Sequence, residues 1–194
     1  MYVREARNRD EAWLLDRIEE LGVDEAAFRS RDYVIAMDEE AGEKVGFGRI
    51  RVHKAGEREY CELTGVGILP DWRGAGVGAH VIERLVENAS DDGFEEVYAL
   101  VAEPEYYEQF GFREVAVEEL PEPLGERLSE KRETVAPSAT PLSVEVSRFR
   151  VPEDLREAFK TAGGSDAGGD DPDESAEDFG IDPEEATYKY DTGR

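Results

Sequence analysis

Residues 70–78 read Pro-Asp-Trp-Arg-Gly-Ala-Gly-Val-Gly, and this stretch joins a predicted strand to a predicted amphipathic helix. Residues 60–69 before it predict a strand, and residues 76–90 after it predict a helix. The buried face of that helix carries apolar residues at helical spacing, namely Val77, Val81, Leu85 and Ala89.

The loop itself is suited to an anion. Gly74, Gly76 and Gly78 allow positive φ angles and a close approach of the backbone to a ligand. Because the loop opens a helix, its free N–H groups and the positive end of the helix dipole face the same point. Arg73 adds a positive charge. These features predict a binding site for a pyrophosphate group.

Other kinds of phosphate loop fit less well. A Walker loop needs Gly-Lys-Ser/Thr, and this loop has no lysine. The spacing of its glycines also differs from the dinucleotide fingerprint G-x-G-x-x-G. For the glycine pattern alone, a simple strand–helix turn remains an alternative.

Two motifs together resemble a known family. Arg-x-x-Gly-x-Gly after a strand that ends in proline, with Gly-Ile-Leu-Pro-Asp-Trp-Arg-Gly at residues 67–74, resembles the coenzyme A loop of the GNAT superfamily of N-acetyltransferases. Tyr-Tyr-Glu-Gln-Phe-Gly-Phe at residues 106–112 is similar to the second signature of that family, Tyr-x-x-x-Gly-Phe. The resemblance covers residues 2–150, over which the chain is identified as a member.

The order of predicted elements agrees with this resemblance. The patterns predict strands at residues 2–6, 33–37, 45–53, 60–69, 96–101, 112–117 and 143–149. They predict helices at residues 10–21, 24–29, 76–90 and 104–110. Residues 120–141 are expected to form a loop, with a possible helical turn at 126–130. The expected fold class is α/β (α+β): a GNAT fold with a mixed, mostly antiparallel sheet of six to seven strands and helices on both faces.

The resemblance implies acetyl-CoA as co-substrate, and the spacing of Cys and His residues gives no reason to expect a metal. It assigns the pantetheine arm to the backbone of Val66, Gly67 and Ile68, with the Ile68 N–H directed at the thioester oxygen. The pyrophosphate falls to the loop and the first turn of the helix. That set is Arg73, Gly74, Ala75, Gly76, Val77, Gly78 and Ala79.

It also implies two catalytic residues. Tyr107 matches the tyrosine that protonates the departing thiolate, with an ordinary pKa near ~10 keeping it protonated. Core packing is the alternative role for Tyr107, and Tyr106 is the substitute donor. Glu62 matches a glutamate that acts as a base through water, and a solvated surface glutamate is the alternative.

The remaining reactive side chains carry less chemistry. His80 is expected to pack or face solvent, His53 to lie at the surface, and Cys61 to be a buried, inert thiol. No Cys/His cluster has the spacing of metal ligands.

The net charge of the chain limits the kinds of partner that it can bind. There are 48 acidic against 23 basic residues, a net charge of −25, which argues against nucleic acid and anionic membranes as partners. The acids are spread over the whole chain, as in proteins from salt-accumulating halophiles, although an acidic tail on an ordinary protein is an alternative. The single cysteine and the lack of a signal-like start predict a cytoplasmic protein.

The chain divides into three parts by composition. We expect an acetyltransferase domain at residues 1–150, a short helix within 151–162 and a disordered acidic tail at 163–194. A monomer or homodimer is expected.

The acceptor is the least determined feature. Glu-Glu-Leu-Pro at residues 118–121 is similar to the amino-acid N-acetyltransferase branch. A small-molecule amine is therefore favoured, with contacts from residues 22–33 and 118–141. The alternatives are a protein N-terminal or lysine acetyltransferase, and a non-catalytic acyl-CoA-binding module.

Overall fold

The computed structural model describes residues 1–162 of the chain. Its strands are β1 (Tyr2–Glu5), β2 (Tyr33–Met37), β3 (Lys44–Ala55), β4 (Arg58–Ile68), β5 (Glu96–Val101), β6 (Arg113–Glu114) and β7 (Thr140–Glu145). Its α-helices are α1 (Glu11–Leu21), α2 (Val77–Asp91), α3 (Pro104–Glu108), α4 (Glu122–Thr134) and α5 (Glu153–Ala162).

The strands form one seven-stranded sheet in the order β1-β2-β3-β4-β5-β7-β6. Neighbouring strands are antiparallel except β4 and β5, which run parallel. Helices cover both faces of this sheet. The predicted fold class is therefore confirmed.

Each face of the sheet has its own core. On one face lies α2, whose buried residues include all four that the helical spacing selected, and α3 and α5 pack beside it. On the other face α1 buries Leu14 and Ile18 against Tyr33 and Phe47. Helix α4 covers the rest of that face, where Leu128 packs against Leu100.

A gap opens between the two parallel strands. β4 and β5 pair only from Cys61 to Leu63, although β4 continues to Ile68. Past that point Gly65 adopts a left-handed φ of 61°, and the register between β3 and β4 shifts. A bulge of this kind bends the strand. The carboxyl half of β4 thus turns away from β5 and leaves a V-shaped gap.

The helix predicted at residues 24–29 is wrong. These residues form turns, because the Asp24 carboxylate accepts the Ala26 N–H at 3.0 Å and Ala27 takes a left-handed φ of 53°. The Arg49 guanidinium then holds the turn by donating to the carbonyl oxygens of Ala26 and Ala27.

The loop predicted at residues 120–141 is also wrong, since it contains the 13-residue helix α4. Its buried face combines Leu124 and Leu128 with Arg127 and Lys131. Apolar spacing alone gives no sign of such a face.

Two strands are shorter than predicted. The one expected at residues 112–117 is limited to Arg113–Glu114 at the edge of the sheet, where it pairs only with β7. The one expected at 143–149 ends at Glu145, after which Val146–Arg148 forms a 3-10 turn. Among residues 1–162, no helix has the length and apolar character needed to cross a bilayer.

Candidate active site

A cleft of about 440 Å³, hereafter the main cleft, lies where β4 ends and α2 begins. The predicted site residues that line it are Val66, Gly67, Ile68, Arg73, Gly74, Gly76, Val77, Gly78 and Tyr107. Further lining comes from Leu21, Val23, Trp72, Glu103, Tyr106 and Leu155. The structure thus brings the unpaired end of β4, the glycine loop and the Tyr107 motif together.

The glycine loop presents unbonded amides. Two of its N–H groups are used internally, that of Arg73 by the Pro70 carbonyl at 3.3 Å and that of Ala75 by the Trp72 carbonyl at 3.4 Å. No acceptor within residues 1–162 receives the N–H of Gly74, Gly76, Val77, Gly78 or Ala79. Free amides at the start of a helix attract an anion.

Three of the predicted site residues lie outside the lining of the main cleft. Ala79 is buried on the core face of α2, and Ala75 packs against the same core. Glu62 lies on β4, before the strand turns away from β5. Its side chain projects to the α4 face of the sheet.

Tyr107 is both a cleft residue and a core residue. It is 8% exposed, and its ring packs edge-on against Tyr106 and Phe112, each at 5.6 Å between centroids. Burial raises the pKa of its hydroxyl well above the ordinary value, and the Glu103 carboxylate adds to the shift. Burial likewise raises the pKa of Tyr106 to about 12. Tyr107 is therefore a protonated donor at neutral pH.

Glu62 is fully buried, which excludes the solvated alternative. Its Oε2 lies 2.7 Å from His53 Nε2, and its Oε1 lies 3.3 Å from Lys131 Nζ. Burial alone would raise the pKa of Glu62, but the hydrogen bond from His53 and the charge of Lys131 outweigh it and hold this pKa below the ordinary value. His53, expected at the surface, is buried instead because it forms this bond.

Lys131 occupies the apex of the V-shaped gap. Its ammonium donates to the Leu100 carbonyl oxygen at 2.8 Å and to Thr64 Oγ1 at 3.0 Å, besides contacting Glu62. Leu100 is the first residue of β5 beyond the paired segment. Burial lowers the pKa of Lys131. Its ammonium thus bridges β4 and β5 at the point where their pairing ends.

Arg127 completes this buried network, pairing with Asp24 and lying 3.5 Å from the Glu62 carboxylate. The sequence-based prediction missed both Arg127 and Lys131, because their segment was expected to be a loop. Their spacing of four residues is the signal that places both on one helix face.

The other reactive groups agree with their predicted minor roles. Cys61 is buried, and burial raises the pKa of its thiol to about 12. His80 packs on α5, its ring stacked on Phe159. Among residues 1–162, no group of three or more His, Cys, Asp or Glu side chains is arranged to hold a metal ion.

The family assignment rests on a match that includes both motifs. The model of the acetyltransferase (GNAT) family matches residues 2–112, more than half of the chain. The chain belongs to the GNAT acetyltransferase family. It is an N-acetyltransferase with acetyl-CoA as its co-substrate, and the predicted family, enzyme class and co-substrate are confirmed.

One solved structure of similar fold is that of the Mycobacterium tuberculosis protein Rv2747 in complex with CoA. It is 18% identical in sequence, with a TM-score of 0.63, and the match covers 75% of this acetyltransferase and 99% of that chain. N-acetylglutamate synthase from Neisseria gonorrhoeae, complexed with CoA and N-acetyl-glutamate, has 18% identity and TM-score 0.61 over 74% of this chain. The match covers 34% of the synthase, so this acetyltransferase spans about a third of its length. A mosquito arylalkylamine N-acetyltransferase-like protein has 11% identity and a TM-score of 0.51, and the match covers 74% of this chain and 98% of that chain. At such identities the likeness concerns the fold.

Proposed function

We propose that this acetyltransferase transfers the acetyl group of acetyl-CoA to the primary amine of a small molecule by direct attack in the main cleft. The observation that carries the proposal is the presence, in one cleft, of the unbonded loop amides, the unpaired end of β4 and the Tyr107 hydroxyl. These are the three elements that thioester aminolysis needs: a grip on the coenzyme, donors for the oxyanion and an acid for the leaving group.

The proposed position of the coenzyme follows from the charge of its diphosphate and from the unpaired end of β4. Its diphosphate lies against Arg73 and the free N–H groups that begin at Gly74. The pantetheine arm then runs along Val66, Gly67 and Ile68, which lie beyond the segment of β4 that pairs with β5. It pairs with β4 as an added strand would, which directs the thioester into the V-shaped gap.

The Ile68 N–H is the proposed oxyanion donor. The Leu69 N–H donates to the Val45 carbonyl on β3 at 3.0 Å. Since successive amides of an extended strand point to opposite sides, the Ile68 N–H points away from β3 and into the gap.

The proposed chemistry is a balanced addition and elimination. The neutral amine nitrogen attacks the thioester carbon, and the C–S bond breaks as the tetrahedral intermediate collapses. The thiolate takes a proton from Tyr107, which is restored by a proton from solvent. The amine transfers its excess proton through a water molecule to Glu62, whose carboxylate lies outside the wall of the cleft, and Glu62 then releases that proton to solvent.

The acceptor is proposed to be a compact amine, either an amino acid or a simpler amine. Within residues 1–162, the charged side chains that line the main cleft are those of Arg73 and Glu103. Arg73 is assigned to the diphosphate, so Glu103 is the remaining charged group for an acceptor ammonium. Leu21 and Val23 add apolar lining to the main cleft.

The experiment is detection of free CoA thiol when the full chain is mixed with acetyl-CoA and a panel of amino acids, simple amines, polyamines and peptides. We expect turnover with at least one small amine and little with peptides. Turnover with peptides alone would replace the small acceptor by a protein. Tight CoA binding without thiol release from any amine would indicate a non-catalytic module.

A further inference from the structure

Helix α5 packs directly on the glycine loop. At Gly76, a Cβ atom would lie 2.2 Å from the Leu155 carbonyl oxygen and 3.0 Å from the Phe159 nitrogen. Only a residue without a side chain permits this contact, and the φ of 70° at Gly76 also favours glycine. The helix and the loop are therefore fitted to each other.

His80 fixes the position of this helix relative to the loop. Its Nδ1–H donates to the Gly76 carbonyl oxygen at 3.0 Å, and the same oxygen accepts the His80 backbone N–H at 3.2 Å. The imidazole so oriented stacks on the Phe159 ring, with 3.8 Å between centroids and 9° between planes. Phe159 is 8% exposed, so the stack belongs to the core.

A second attachment lies one helical turn further along α2. Arg156 of α5 forms an ion pair with Glu83, and two of its nitrogens contact the carboxylate. The stack and the ion pair thus attach α5 to α2 at two points.

The side of α5 nearest the loop faces the main cleft, where Leu155 forms part of the wall. Helix α5 lies outside residues 2–112, the segment matched by the family model. It thus follows the part of the chain that carries the family motifs.

We propose that α5 is a wall of the coenzyme site and that Leu155 packs against the pantetheine arm beside the diphosphate. This rests on the proposed placement of acetyl-CoA in the main cleft. One methylene group away from the diphosphate, the coenzyme has a carbon with two methyl groups. An apolar side chain adjoining Gly76 is placed to cover those methyl groups and remove them from water.

Isothermal titration of the full chain with CoA tests the proposal. Leu155→Ala should weaken CoA binding about tenfold, as expected for losing roughly half of a leucine's burial. Leu15→Ala is the matched control, since it makes the same truncation on a helix residue outside the main cleft. The Leu155→Ala variant should also raise KM for acetyl-CoA while kcat and the acceptor KM stay unchanged.

Two coenzyme fragments sharpen the test. Leu155→Ala should weaken 4′-phosphopantetheine, which carries the methyl groups, by the same factor as CoA. It should leave the affinity for 3′,5′-ADP, which lacks them, unchanged. An equal loss for both fragments would mean that Leu155 only supports the loop, and would overturn the proposed contact.

A measurement on the unmodified chain avoids any folding failure. CoA should slow hydrogen exchange in α5 but not in α4. If wild type binds CoA but neither α5 exchange nor the affinity of Leu155→Ala changes, the inference fails and the proposed function survives. Tighter binding by Leu155→Ala would show that α5 obstructs the site. If wild type does not bind CoA, the proposed function itself fails.

Discussion

Lys131 Nζ lies 3.3 Å from Glu62 Oε1, and both side chains are buried where β4 and β5 diverge. The pair is therefore more than a solvent-screened contact. Each charge neutralises the other inside the fold. The same ammonium also donates a hydrogen bond to the Leu100 carbonyl oxygen, with which β4 does not pair. The shape of the candidate active site thus depends on an ion pair behind it.

Replacing Lys131 by methionine should destabilise the protein by about 3–5 kcal/mol. The variant removes the ammonium from Glu62 Oε1, Thr64 Oγ1 and the Leu100 carbonyl, and leaves Arg127 as the cation beside the buried Glu62 carboxylate. Urea unfolding at neutral pH measures this. Lys54→Met is the control, since Lys54 pairs with Glu59 at an exposed site and its loss should change stability little. Equal effects of the two substitutions would contradict a structural role for the buried pair.

Stability should fall as the solution is acidified. Asp10 accepts hydrogen bonds from Arg4 at 2.8 and 3.1 Å, and chiefly for this reason its pKa lies far below the ordinary value. A carboxylate whose pKa is lowered by folding stabilises the protein above its unfolded pKa of about 4 and loses that contribution as the pH falls. The pKa of Glu62 is shifted in the same direction.

Asp10→Asn should accordingly be less stable than wild type at pH 7, and the difference should shrink in urea titrations as the pH falls from about 5 to about 3. A difference that is constant over this range would mean that the Asp10 charge is not linked to folding.

Tyr107→Phe should lower kcat about 100-fold, because the thiolate would leave without its proton donor, while KM for acetyl-CoA should hardly change. Since burial raises the pKa of Tyr107 well above its ordinary value, the acid form persists through alkaline solution. The kcat profile of wild type should show no tyrosine limb below pH ~10. Steady-state kinetics over pH measures both.

Tyr106→Phe is the control for that substitution, since Tyr106 lines the same cleft. If it lowers kcat and Tyr107→Phe does not, the acid role passes to Tyr106.

Gly76→Val should abolish CoA binding. The new side chain would meet the Leu155 carbonyl oxygen and would hold a φ of 70°, which β-branched residues avoid. Titration calorimetry measures the loss. Gly125→Ala in α4 is the control: a Cβ there has no atom within 4 Å. It should keep CoA binding and raise stability by about 1 kcal/mol. Retained binding by Gly76→Val would show that the loop is misassigned.

Stability should rise with salt, because the acidic residues behind the net charge of −25 repel one another and KCl screens this repulsion. At about 1 M the Debye length is only ~3 Å. Thermal unfolding across KCl concentrations measures the effect, with sorbitol at matched osmolality as the control. An unfolding midpoint that is independent of KCl would refute the halophile interpretation of the composition.

Some features of this protein could be predicted from the amino-acid sequence because each is encoded within one short segment. The glycines at 74, 76 and 78, the helical spacing of α2 and the Tyr107 motif each lie within one short segment. Local patterns therefore predicted an anion-binding loop and the strand–helix unit around it, and the resemblance of the two motifs predicted the family. Strand β5 was predicted with its bounds, since a run of apolar residues between turns has few other structures.

Tertiary structure alone decided the surroundings of that site. Glu62 and Lys131 are 69 residues apart, and in an acid-rich chain nothing near Glu62 distinguishes a buried carboxylate from a solvated one. Helix α4 turns charged side chains inward, so its burial does not follow from apolar spacing. The packing of α5 against Gly76 likewise brings together segments that are distant in sequence. Such contacts depend on how the chain closes over long loops, which local propensities do not encode.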